Sequence, residues 1–225
     1  GELTIGNLTG GSHEIIANIP GNENYTAKSN RTVFDVEPAT PEVNVDIIPG
    51  HVGEPSVVNI TLPEDATGYI VIDVNGTKYY QDVVNGSATV EIPDLPYGDY
   101  DVNITYVGDG NYAPVNVEDE LSVPKNNVTM NVSVSEPRVG ENTVVTVDVP
   151  EDVYGTVTVQ IGNITKTVAV TGGSNEILIP DVPVGEHDVV VTFDGNDKFA
   201  PVSENTTVKV LPISRSEERF SRNAE

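Results

Sequence analysis

The stretch Tyr106–Tyr112, reading YVGDGNY, occurs in three versions at a fixed spacing. It returns 87 residues later as FDGNDKF (Phe193–Phe199) and stands 87 residues earlier as IPGNENY (Ile19–Tyr25). In each version a large apolar residue is followed two positions on by Gly, and an aromatic follows four positions after that Gly. A spacing that holds twice without insertion marks a repeating domain, and each block must then close its own small core.

Two complete blocks and the rear part of another fit into the 225 residues. The expected boundaries are 1–38 for the rear part, 42–124 and 128–212 for the complete blocks, and 213–225 for a tail outside the fold. In the middle block Val43, Val45 and Ile47 alternate with Asn44 and Asp46, and Val58, Ile60 and Leu62 with Asn59 and Thr61. That period of two, with one apolar face, predicts strands. Asn75-Gly76 and Asn85-Gly86 predict two-residue hairpin turns, because both central positions need positive φ. Tyr100, Val102, Ile104 and Tyr106 alternate inward, and Val115–Val123 closes the block. Seven short strands without helical periodicity predict an antiparallel, immunoglobulin-like β-sandwich. The third block is expected to copy the second strand for strand. In the first, Leu3 and Ile5, Ser12–Ile19 and Asn30–Val36 predict three strands without their partners. Pro-containing linkers at Glu37–Pro41 and Pro124–Asn127 limit swing between neighbours.

LPYGDY followed by YVGDGNYAP, and VPVGEH followed by FDGNDKFAP, resemble the bacterial Ig-like repeats found in tandem in prokaryotic surface proteins. The acidic, Val/Asn/Thr-rich texture is similar to that of the adhesin-like proteins of gut methanogens. The resemblance implies an extracellular, non-catalytic stalk at a cell surface. Its partners would be neighbouring repeats of the same chain and an unknown cell-surface or host ligand. Two other roles fit the same residues. One is a carbohydrate- or protein-binding module using end loops or the tyrosines Tyr79, Tyr80 and Tyr97. The other is an accessory array on a secreted glycan-active enzyme.

Charge narrows the partners. Against 11 Lys and Arg stand 35 Asp and Glu, a net −24, which argues against nucleic acid or an anionic membrane surface. No apolar run approaches the ~18 residues of a membrane span, and the chain has no Cys for disulfides. It opens in mid-repeat without a start Met, and Arg215–Glu225 resembles the translation of a sequencing adapter. The expectation is a fragment with a disordered end.

Eleven Asn residues stand two before Ser or Thr with no Pro between: Asn7, Asn24, Asn30, Asn59, Asn75, Asn85, Asn103, Asn127, Asn131, Asn163 and Asn205. This composition would give about three by chance, so the sequence predicts N-glycosylation. Asp109, Asp194 and Asp197 offer oxygens that Ca²⁺ favours, although Asp and Asn between strands are also ordinary turn formers. No other cofactor is expected. His13, Tyr100 and His187 share one repeat position; a residue that alternates between His and Tyr is expected to pack with a polar tip rather than catalyse.

Overall fold

The protein, a computed structural model, is described over residues 2–213. Expectations for residues 214–225, including the adapter-like segment, lie outside them. Among the described residues all regular elements are strands, and no helix is long and apolar enough to cross a membrane. The chain divides into two units, the first ending at Pro124 and the second beginning at Lys125.

The middle repeat has the seven predicted strands: β3 (Asn44–Ile48), β4 (Ser56–Thr61), β5 (Tyr69–Val74), β6 (Thr77–Asp82), β7 (Ser87–Ile92), β8 (Gly98–Tyr106) and β9 (Val115–Val123). They form a three-stranded sheet, β3-β4-β7, and a four-stranded sheet, β6-β5-β8-β9, all antiparallel. Both sheets feed one core, with Val58, Ile60 and Ile92 from the first and Ile70, Ile72, Ile104 and Tyr106 from the second. Each such side chain contributes roughly 1.5–3 kcal/mol on burial, so aliphatic packing suffices without Trp or a disulfide. Asn75-Gly76 and Asn85-Gly86 both have positive φ throughout. The first joins the β5–β6 hairpin, whereas the second, closed by the bridge between Val84 and Ser87, carries the chain from β6 into the other sheet.

The third repeat departs from the seven-strand expectation. It has five strands: β10 (Asn131–Val134), β11 (Thr143–Ile161), β12 (Ile164–Ile179), β13 (Gly185–Phe193) and β14 (Val202–Val210). The long β11 and β12 each run through what are two strands in the middle repeat. Their register shifts once, between Val149 and Tyr154. The cause is local. Where Asn85-Gly86 folds into a tight turn, this repeat has Gly172-Gly173, and Asn175 bonds across them through Nδ2 to the carbonyls of Thr171 (2.7 Å) and Gly173 (3.2 Å). The chain bends there, and pairing interrupted after Val149 opposite Gly173 resumes at Tyr154 opposite Thr171.

One buried side chain records another sequence difference. Ser56 accepts a 2.9 Å bond from the Gly50 amide, but its counterpart Thr143 is buried with an unpartnered hydroxyl. Position 137, which matches Gly50, is Pro and has no N–H to give.

The first segment forms one hairpin, β1 (Gly11–Ile19) with β2 (Lys28–Val36). The third expected strand there is not formed: Leu3 and Ile5 lie outside any strand and are exposed. In the middle repeat β7, which contains the equivalents Val90 and Ile92, pairs with β4. Among the described residues no segment equivalent to β4 stands beside residues 3–5, so their backbone has no ladder to join.

Candidate functional site

The recurring loop carries Asp109, one of the calcium candidates, and its side-chain hub is the same in all three copies. The side-chain oxygen of Asn22 accepts from the amides of Asn24 and Tyr25, both at 2.9 Å. Asp109 Oδ1 accepts from Asn111 (2.7 Å) and Tyr112 (2.8 Å), and Asn196 Oδ1 from Lys198 and Phe199, both at 2.8 Å. One acceptor oxygen closing a local turn is what the position needs, which is why Asp and Asn alternate there. The preceding Gly108 and Gly195 have φ +82 and +79, and a Cβ on either would fall within 2.9 Å of a backbone oxygen across the loop. Only Gly fits.

Asp109 alone uses a second oxygen. Its Oδ2 accepts from Thr67 N (2.8 Å) and Thr67 Oγ1 (2.9 Å), tying the loop to the corner between β4 and β5. Burial alone would raise this carboxyl's pKa, but the bonds from Thr67, Asn111 and Tyr112 outweigh it and hold it at about 2. Beside it, Tyr106 donates to the Thr67 carbonyl (2.8 Å), and burial together with the Asp109 charge raises its phenol to about 12. In the third repeat Phe193 has no hydroxyl, and Asn196 Nδ2 instead donates to the matching carbonyl, Tyr154 O, at 2.6 Å. A second tie differs in the same way: Tyr112 Oη donates to Asp65 (2.7 Å), whereas Lys198 Nζ bonds Asp152 (2.8 Å).

The loop also receives the linker that enters its own repeat. Ala39 runs parallel to Tyr112, donating to the Asn111 carbonyl (2.8 Å) and accepting from Ala113 (2.9 Å). In the second unit Asn126 does the same beside Phe199, with Lys198 and Ala200 as partners, each bond 2.9 Å. In the first unit Gly10 N also donates to Gly110 O at the loop tip (2.6 Å). Sequence reasoning missed this clamp because backbone bonds leave no side-chain signature; the invariant loop length was the only trace.

Of the calcium candidates, Asp109 has both oxygens engaged by four internal donors, while Asp194 and Asp197 are exposed. Among the described residues no three His, Asp or Glu side chains are grouped closely enough to hold a metal ion. His13, Tyr100 and His187 each bond the carbonyl four residues back, namely Thr9 (2.7 Å), Pro96 (2.8 Å) and Pro183 (2.8 Å). They are corner locks with a polar tip, as their alternation indicated.

Ten of the sequon residues are exposed: Asn7, Asn24, Asn30, Asn75, Asn85, Asn103, Asn127, Asn131, Asn163 and Asn205. Asn59 is half-buried and accepts from Thr89 Oγ1 (3.0 Å). Asn7 lines a polar groove of about 510 Å³ with Leu8, Gly10, Glu37, Asp65 and Tyr112. The three candidate tyrosines do not form one patch. Tyr79 packs against the core and Tyr97 is exposed, while Tyr80 pairs with Tyr69, which the sequence reading did not single out.

No protein-family model and no curated protein matches the chain. Among solved structures, the fibronectin(III)-like modules of CbhA from Clostridium thermocellum align at 12% identity, covering 76% of this chain and 95% of that one (TM-score 0.33). A two-domain fibronectin type III segment of chicken tenascin aligns at 16% identity, covering 74% and 98% (TM-score 0.39). The BSP domain of a biofilm-associated protein aligns at 19% identity, covering 76% and 30% (TM-score 0.27). The two antiparallel sheets around one core make the middle repeat an immunoglobulin-like β-sandwich, and the five-stranded sheet of the third repeat encloses an equivalent all-β core.

Proposed function

We propose that the chain is an extracellular spacer segment of an adhesin-like cell-surface protein, with neighbouring repeats as its partners and no reaction of its own. The observation that supports this most is the clamp. Both described linkers are held by paired backbone bonds to a loop whose own shape is fixed by an Asp or Asn hub. Such a device uses the largest recurring motif to order the chain that enters each repeat, which suits a spacer. Amide ¹⁵N relaxation on the whole chain tests it. Order parameters at Ala39 and Asn126 are expected to equal those of the strands, and values typical of a free linker would overturn the reading.

N-glycosylation of the exposed sequons belongs to the same proposal. Glycans and the acidic surface together keep repeats apart and soluble. Intact-mass analysis of native material is expected to show additions, and the unmodified mass would reject this part. Calcium has no role in the proposal, since the hub residue at Asp109 is closed by protein donors. The groove beside Tyr112 favours a second reading, a carbohydrate-binding module, because it brings an aromatic together with carboxylate groups. Tyr112 and Asp65 are already bonded to each other there, so the spacer reading is preferred.

A further inference from the structure

The outward face of the four-stranded sheet in the middle repeat holds a feature the fold does not require. Tyr69 on β5 and Tyr80 on the edge strand β6 point to the same side, their ring centroids 6.5 Å apart and their planes inclined by 45°. They flank an open notch of about 400 Å³ that Asp82, directly opposite Tyr69, also lines. Tyr80 is 65% exposed and Tyr69 43%. In the third repeat the matching positions are Thr156, Thr167 and Ala169, so neither the aromatics nor the carboxylate is needed to build the sheet.

Charge decides what would enter. By strand register this face also carries Asp73, Asp101, Glu118 and Glu120, with one base, Lys78, which pairs with Asp73 at 4.0 Å. Two ring faces beside a carboxylate on a strongly acidic surface complement an organic cation, which gains both from ring quadrupoles and from the field. Elsewhere the chain makes the same kind of contact, with Lys198 Nζ 5.0 Å from the Phe199 centroid. We propose that the Tyr69–Tyr80–Asp82 notch binds an ammonium or guanidinium group of a basic polypeptide, an activity additional to the spacer role.

The test titrates the whole chain with a hexa-arginine peptide, with the neutral oligosaccharide cellohexaose as comparison, and follows backbone amide shifts. The peptide is expected to move Val71, Tyr80 and Asp82. The double substitution Tyr69→Thr with Tyr80→Thr leaves the net charge unchanged and installs the residues the third repeat carries. It is expected to weaken peptide binding about tenfold, from two cation–π contacts, with the remaining amide spectrum unaltered. Equal binding by that variant would mean general attraction to an acidic chain and would overturn the proposal. So would shifts at these amides caused by cellohexaose and not by the peptide, or no shifts with either.

Discussion

Asp109 and Tyr106, compared with Asn196 and Phe193 of the third repeat, define a double-mutant cycle. Asp109→Asn keeps the oxygen that accepts from Asn111 and Tyr112 but replaces the one that accepts twice from Thr67 with an amide donor. Two bonds are lost and a donor faces a donor, at a cost of about 1–3 kcal/mol. The ionised form gives a second route to the figure. A carboxyl lowered from 3.8 to about 2 carries up to ~2.4 kcal/mol, which solvent at this partly exposed site reduces to ~1–2 kcal/mol. Because the folded pKa is the depressed one, that stability is complete above pH 4 or so and is lost as pH falls through about 2. In the third repeat the amide of Asn196 finds Tyr154 O because Phe193 leaves that carbonyl unoccupied, whereas Tyr106 occupies Thr67 O. Adding Tyr106→Phe to Asp109→Asn should therefore free the acceptor and restore about 1 kcal/mol of what the two single changes predict in sum. Urea unfolding read by amide NMR separates the middle repeat from the third, which should not change. Strict additivity of the two substitutions, or an Asp109→Asn protein as stable as the parent at pH 7, would refute the reasoning.

Thr143→Val should stabilise the third repeat by about 1 kcal/mol in the same urea assay, since it removes a buried hydroxyl with no partner; a loss of stability would mean the hydroxyl is bonded. Gly195→Ala should cost about 1–3 kcal/mol from its φ of +79 and the Phe199 carbonyl 2.9 Å from the new Cβ, read as a lower melting temperature. His187→Ala should cost about 1 kcal/mol while His187→Tyr costs little, because Tyr100 makes the same corner bond in the middle repeat. Millimolar calcium or a chelator should leave the melting temperature unmoved, and a rise with calcium would place an ion at the Asp194 and Asp197 loop.

The parts of the fold that depend on side-chain pattern were legible. Alternation located strands such as β3, β4 and β8 of the middle repeat, and Asn75-Gly76 located the β5–β6 hairpin, because both signals are local. Leu3 and Ile5 misled for the complementary reason: their pattern is that of a strand, but a strand exists only where another offers it a ladder. The fusion of strands into β11 and β12 turned on Gly172-Gly173 replacing Asn85-Gly86, a difference that alignment by period treats as equivalent. Tyr69 went unnoticed because its partner Tyr80 is eleven residues away and meets it only across the register of β5 and β6. The hub was visible as chemistry, and its real client, the linker backbone, was not.

The long strands of the third repeat have a consequence for how it comes apart. In the middle repeat the two sheets share side chains but no ladder, so amides of β3, β4 and β7 can exchange with solvent while β6, β5, β8 and β9 stay protected. In the third, β11 and β12 carry pairing from one layer into the other across a single bulge. Loosening either layer there pulls on the other. Hydrogen exchange should accordingly find two subglobal openings in the middle repeat and one cooperative opening in the third.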